Sequence, residues 1–192
     1  EREIELMTQA GRILEIVHEE MEKALKPGMT TLDIDAIGEE VIRSYGCEPS
    51  FLNYNGYPAS ICVSVNEEVV HGIPSRNRII QEGEIVSLEA ELIYKRYHSD
   101  AARTHAGGEI SEEAKKLIEV TRQSFFEGIK YAKEGNYLFE ISGAIGRYAA
   151  GFGYGVVREL CGHGIGTHLH EDPEIPNFPM MRRGPKLKAG MT

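Results

Sequence analysis

No stretch of this sequence stays apolar for the ~20 residues that a membrane-spanning helix needs, so no membrane helix is expected. No basic block offsets a net charge of −9, which argues against nucleic acid as a partner. Cysteine is scarce. Cys47, Cys62 and Cys161 are odd in number and lack metal-type spacing, so reduced thiols in the cytoplasm are expected. A signal peptide is also missing; the chain opens on a charged segment with helical patterning. What is present is 41% hydrophobic and 27% charged over 192 residues, which suits one compact globular domain.

Three segments carry chemistry. In Cys161–Pro173, three histidines and two acids follow a glycine-rich turn. Glycine lets a backbone approach a ligand closely, and imidazole is both a metal ligand and a proton shuttle. His163 and His170 then face whatever that turn surrounds. In the second segment, 83–104, alternating apolar residues read as two strands joined near Lys95-Arg96. A two-residue loop sets Tyr94 opposite Tyr97, Ile93 opposite His98 and Glu91 opposite Asp100, with Glu89 diagonal to Asp100. Opposed like charges destabilise a sheet. A divalent cation would offset three clustered carboxylates, and so would Arg96 or Arg103. The third segment, Ser60–Pro74, reads as a strand, a turn at Asn66, and His71 held before a Gly-x-Pro bend.

With these residues in view, the chain resembles the bacterial, type I methionine aminopeptidases. The matching motifs are Val69–Pro74, Tyr97–Thr104 and Cys161–Gly166. The resemblance covers the whole chain and implies an α+β, pita-bread (aminopeptidase/creatinase-like) fold. That fold has two pseudosymmetric α/β halves around a central antiparallel sheet. It also implies metal-assisted removal of the initiator Met from nascent proteins in the cytoplasm. Two divalent ions (Co, Mn, Fe or Zn) would be held partly by Glu89, Asp100 and His163, with Asp100 bridging. His71 and His170 would contact the scissile amide and its developing charge. Phe51, Tyr54, Tyr57, Cys62 and Leu169 would form the Met pocket. N-terminal Met peptides of nascent proteins and the ribosome are the implied partners.

A weak internal repeat runs through the sequence. An amphipathic first helix carries Ile4, Met7, Leu14, Val17, Met21 and Leu25, and Lys26-Pro27-Gly28 ends it. Thr31 is placed to cap a second helix that runs to Tyr45-Gly46. Ser111 is placed to cap a third that runs to about Ala132, and a fourth carries Ile141 to Tyr148. Ala36-Ile37-Gly38 recurs as Ala144-Ile145-Gly146, and Gly28 pairs with Gly135 at an offset of 107 (135 minus 28). The domain is therefore read as 1–192, with half-repeats of about 1–109 and 110–192.

At that offset the counterpart of Glu89 would fall at 196, beyond Thr192. The resemblance likewise implies two further metal-binding Glu residues and two sheet strands that these 192 residues lack. The second half is thus expected to be incomplete. Low turnover is expected, with self-association through an uncovered sheet edge. Other departures sit at the site. Glu89 stands where the family has Asp, Glu91 where it has a small or neutral residue, and Arg96 where it has a turn Gly. Two alternatives follow: a catalytically inactive pita-bread fragment or binding module, or a prolidase-like relative, which would carry an extra N-terminal domain.

Overall fold

A computed structural model describes all of Glu1–Thr192, in two compact units. The first comprises Glu1–Ala114 with Gly166–Leu169, and the second Lys115–Ile165 with His170–Thr192. Helices and antiparallel strands are both present, an α+β content.

In the first unit, α1 (Arg2–Ala24) and α2 (Thr31–Ser44) precede the short β1 (Glu48–Pro49), β2 (Ile61–Val65), β3 (Glu84–Tyr94) and β4 (Tyr97–Gly107). β3 is the axis of the sheet, with antiparallel partners β1 and β2 along one edge and β4 along the other. Alternation decides its two faces. Val86, Leu88, Ala90 and Leu92 are fully buried, together with Ile61, Val63 and Val65 of β2, Leu14, Val17 and Met21 of α1, and Ile34 and Ile42 of α2. Each of these side chains larger than alanine contributes ~1.5–3 kcal/mol. Ser87, Glu89 and Glu91 face the other way. Ile4 stands 49% exposed in the first turn of α1, outside the stripe expected of it.

The cap of α2 lies one residue earlier than the spacing suggests. Thr30 is the N-cap, in a reciprocal box with Asp33. Thr31 is buried and spends its hydroxyl on the Ser75 carbonyl at 3.2 Å and the Ser75 N–H at 2.9 Å, a tertiary tie that competes with capping.

In the second unit, α3 (Glu112–Ile129) continues from the unit boundary and α4 (Leu138–Gly151) follows, with a two-stranded ladder of β5 (Gly162–Gly164) and β6 (Glu171–Ile175). α3 starts at Ser111, whose hydroxyl accepts from Ala114 N–H at 3.1 Å, and ends short of Ala132.

The repeat is written in backbone hydrogen bonds more clearly than in side chains. Asp33 accepts from Thr30 N–H at 2.8 Å; Glu140 accepts from Tyr137 N–H at 2.7 Å, again 107 on (140 minus 33). Gly28 N–H reaches the Ile80 carbonyl at 2.8 Å and Gly135 N–H reaches that of Leu187 at 3.0 Å. Thr31 N–H meets Arg78 O and Leu138 N–H meets Pro185 O, both at 2.9 Å. Isolated bridges Thr30–Ile79 and Tyr137–Lys186 complete the match. The recurrence of Ala-Ile-Gly is one residue out of this register, at 108 (144 minus 36). Gly38 and Gly146 therefore do different work. A Cβ on Gly146 would meet the Phe178 backbone at 2.8 Å.

Gly38 instead makes room for α1: a Cβ there would stand 2.9 Å from the Met21 sulfur and 2.6 Å from Ile61. Its true counterpart is Ile145 and that of Met21 is Gly128, each 107 on (145 minus 38, 128 minus 21). In the second unit Gly128 of α3 makes room for Ile145 of α4, with a Cβ–Cγ1 separation of 2.6 Å. Large and small residues have exchanged helices at one crossing.

The β3–β4 turn is a strained point. Lys95 and Arg96 have φ of 48° and 82°, a two-residue turn with both residues in the left-handed region, as type I′ requires. Left-handed backbone costs a side-chain-bearing residue ~1–2 kcal/mol. Arg96→Gly is expected to raise stability by about 1 kcal/mol, read as a higher urea midpoint; an unchanged midpoint would refute it.

His18 on α1 is fully buried, and its Nε2–H donates to the Ala101 carbonyl at 3.0 Å. Burial pulls its pKa from 6.5 down to about 4; the Ala101 bond opposes this, and the charges of Arg103 and His105 add to it. The folded state thus prefers the neutral ring, and its stabilising contribution is full above pH 6.5 and lost as pH falls toward 4. That loss should reach about 3 kcal/mol by pH 4. Denaturation of His18→Gln across pH 4–7 should show a shallower acid slope than the parent; parallel slopes would refute the assignment.

Candidate functional site

The β3–β4 register sets Glu91 opposite Asp100 and Glu89 opposite Ala102. One oxygen from each of Glu89, Glu91 and Asp100 lies within 4.8 Å of the others. Glu91 is only 2% exposed, and its Oε2 is buried with no hydrogen-bond partner. Glu91 also shares a hydrogen bond with Asp100, which requires a proton on one of the two acids. Burial, then the charge of Asp100, then that of Glu89, holds the Glu91 carboxyl far above the usual carboxylate range. Neither arginine neutralises this group. Arg96 is exposed in the turn, and Arg103 opposes Leu88 on the helix-covered face, beside His18. Three close carboxylate oxygens, with a buried and unpaired oxygen on the central acid, fit a divalent cation.

Next to the acids stands an aromatic wall. Cys62 on β2 opposes Glu89 and so shares its face. It is 1% exposed, and burial pushes its thiol up to about 12, removing it as a nucleophile. Tyr57 contacts Cys62 and donates its hydroxyl to Gly72 O at 2.9 Å and to Ile61 O at 3.2 Å. Its ring lies 5.6 Å from that of Phe51, tilted by 51°. The structure thus gathers Phe51, Tyr57 and Cys62 beside Glu89. Tyr54, by contrast, is 39% exposed on a 3-10 turn at Tyr54–Gly56. Leu169, in the short segment Gly166–Leu169, is 3% exposed.

His71 is exposed at φ 56°, between β2 and Pro74. Gly72 fixes it: the Gly72 N–H donates to Ser64 Oγ at 3.0 Å and the Gly72 carbonyl accepts from Val63 N–H at 3.0 Å. In the second unit, His163 on β5 and His170 pack ring to ring at 4.4 Å. His163 Nδ1 lies 2.9 Å from the Gly164 carbonyl; an acceptor there obliges Nδ1 to carry the proton and puts the lone pair on Nε2.

Two positioning groups escaped the sequence reading. Asp35 is buried in α2 and accepts from Ser60 N–H at 2.9 Å and Ile61 N–H at 2.8 Å, anchoring the start of β2. An acid on the apolar stripe of α2 was its only signal. His98 lies two residues before Asp100; its ring meets Ser50 Oγ at 2.9 Å, and its N–H donates to the Gly166 carbonyl at 2.8 Å.

Residues 5–192 match the model of metallopeptidase family M24. Over 98% of its length the chain is 55% identical to a methionine aminopeptidase from Clostridium acetobutylicum, covering 76% of that protein. The chain belongs to the methionine aminopeptidases of family M24. Methionine aminopeptidases are metal-dependent hydrolases that act on peptides with an N-terminal Met, and the family implies a divalent cation. A crystal structure of methionine aminopeptidase from Thermotoga maritima superposes with a TM-score of 0.96 at 39% identity, over 99% of this chain and 76% of that one. A prolidase from Pyrococcus furiosus matches with a TM-score of 0.82 at 22% identity, over 100% of this chain and 54% of that one, a likeness of fold alone. The fold is the pita-bread fold. Identity places the chain with the methionine aminopeptidases rather than with prolidases or non-catalytic relatives. No helix is long and apolar enough to cross a membrane.

Proposed function

We propose that this methionine aminopeptidase removes initiator Met from nascent polypeptides, with Glu89, Asp100 and His163 among the ligands of two divalent ions drawn from Co, Mn, Fe or Zn. The observation that carries the reading is the cluster of mutually close carboxylate oxygens on β3 and β4, around the buried Glu91. Such ions supply Lewis acidity, polarising the scissile carbonyl and acidifying water. The chain's own residues do the rest. Asp100 bridges. His71 and His170 hydrogen-bond the scissile amide as charge develops on it, a preorganised stabilisation that costs no solvent rearrangement. Phe51, Tyr57 and Cys62 form a dry wall for the Met side chain, with Tyr54 at its exposed rim and Leu169 completing the pocket. What supports the role of His163 is its Nε2 lone pair, fixed by the Gly164 carbonyl.

The test is Met release from a Met-Ala-Ser peptide with added manganese or cobalt. Turnover of the 192 residues is expected to be low, metal-dependent and lost with EDTA. Asp100→Asn should reduce it at least ~100-fold, since ligand removal exceeds the 10–100-fold of outer groups. Release indifferent to EDTA and to Asp100→Asn would overturn the reading.

The substrate class points to work in the cytoplasm beside the ribosome. The outer edge of β4 pairs with no strand, although Gly166 takes the His98 N–H. Unpaired edges template pairing with another chain, and we place self-association there. Sedimentation of the chain, alone and with ribosomes, checks both partners; a micromolar monomer that does not pellet with ribosomes would refute them.

A further inference from the structure

Glu91 is the buried acid for which the fold supplies neither a cationic partner nor a backbone N–H. Elsewhere the chain satisfies its acids in plain ways. Asp35 accepts two backbone N–H groups, and Glu84 pairs with Arg78 at 2.7 Å. Glu91 is 2% exposed, its Oε2 finds no hydrogen bond, and its near neighbours are the carboxylates of Glu89 and Asp100. An ionised carboxylate so placed repels both, and its Oε2 loses hydration with nothing in exchange. An apolar or hydroxylated residue would suit a strand position that faces Asp100 far better. The arrangement becomes favourable when a cation takes an oxygen from each of the three acids.

We infer that Glu91 is a third oxygen donor to the cation held by Glu89 and Asp100, and that it biases the centre toward hard divalent ions of the manganese kind over zinc. The inference rests on the metallopeptidase reading above and adds to it a residue outside the ligand set that reading names. All-oxygen donor sets favour manganese and its harder neighbours, whereas zinc favours nitrogen and sulfur. Affinity for a hard cation also follows the number of charged ligands. Because Glu91 and Glu89 are two residues apart on one strand, their side chains share a face, and the register brings Asp100 to the same place without any loop.

The experiment is calorimetric titration of the chain with manganese(II) chloride and, separately, zinc chloride, for the parent, Glu91→Gln and Asp100→Asn. Gln keeps the size of Glu and an N–H that donates to Asp100, so a purely hydrogen-bonding Glu91 would leave metal affinity unchanged. The expected result is a loss of about tenfold or more in manganese affinity for Glu91→Gln, with a smaller loss for zinc. Thermal melts give a second readout. Without metal, Glu91→Gln should melt at or above the parent, because a repulsion is gone, and manganese should raise its melting temperature less than the parent's. Glu91→Thr, a good strand former, should reproduce the loss and guards against a misfolded Gln variant. Parental manganese affinity in both Glu91 variants, alongside a collapse in Asp100→Asn, would overturn the role of Glu91 and leave the family reading standing. A parent that binds no manganese would overturn both.

Discussion

The register of one hairpin governs this molecule. On β3, Leu88 and Leu92 pack under α1 and α2 while Glu89 and Glu91 look the other way. A slip of one residue would bury the acids in the hydrocarbon core and expose the leucines. The penalty for that error is far larger than the strain in the turn, so Lys95 and Arg96 are held in left-handed backbone. The core on one face therefore secures the spacing of the carboxylates on the other. Stability and chemistry are specified by the same alternation.

Much of this was legible in the sequence because strand alternation is local. The pairings Tyr94–Tyr97, Ile93–His98 and Glu91–Asp100 follow from a loop length of two, and all three occur. The helices were legible for the same reason, since an apolar stripe and a capping residue lie close together in the chain. Their ends were harder to place. Thr31 looks as good a cap as Thr30 until Ser75, 44 residues away, takes its hydroxyl.

What the sequence concealed were contacts made at a distance. Arg103 is three residues from Asp100 and close enough in sequence to neutralise the acids, yet strand parity puts it on the other face, beside His18. Asp35 shows in the sequence only as an acid on an apolar stripe, and only the fold brings the N–H groups of Ser60 and Ile61 to it. The repeat was half-legible for a related reason. Its glycines recur at the right spacing, but the tripeptide that looked like its best match is out of register by one. The ladder of caps and bridges, invisible in residue names, carries the duplication.

The exchange at the helix crossing has a consequence for how far the two halves have drifted apart. Grafting α4 in place of α2 would drive an isoleucine into Met21, and grafting α2 in place of α4 would set one glycine against another, leaving a hole beside Gly128. Each half has accommodated its own solution to the same packing problem. The two are alike in backbone and no longer interchangeable as parts, and a lineage that passed through a symmetric ancestor could not now return to it by single substitutions without crossing a less stable intermediate.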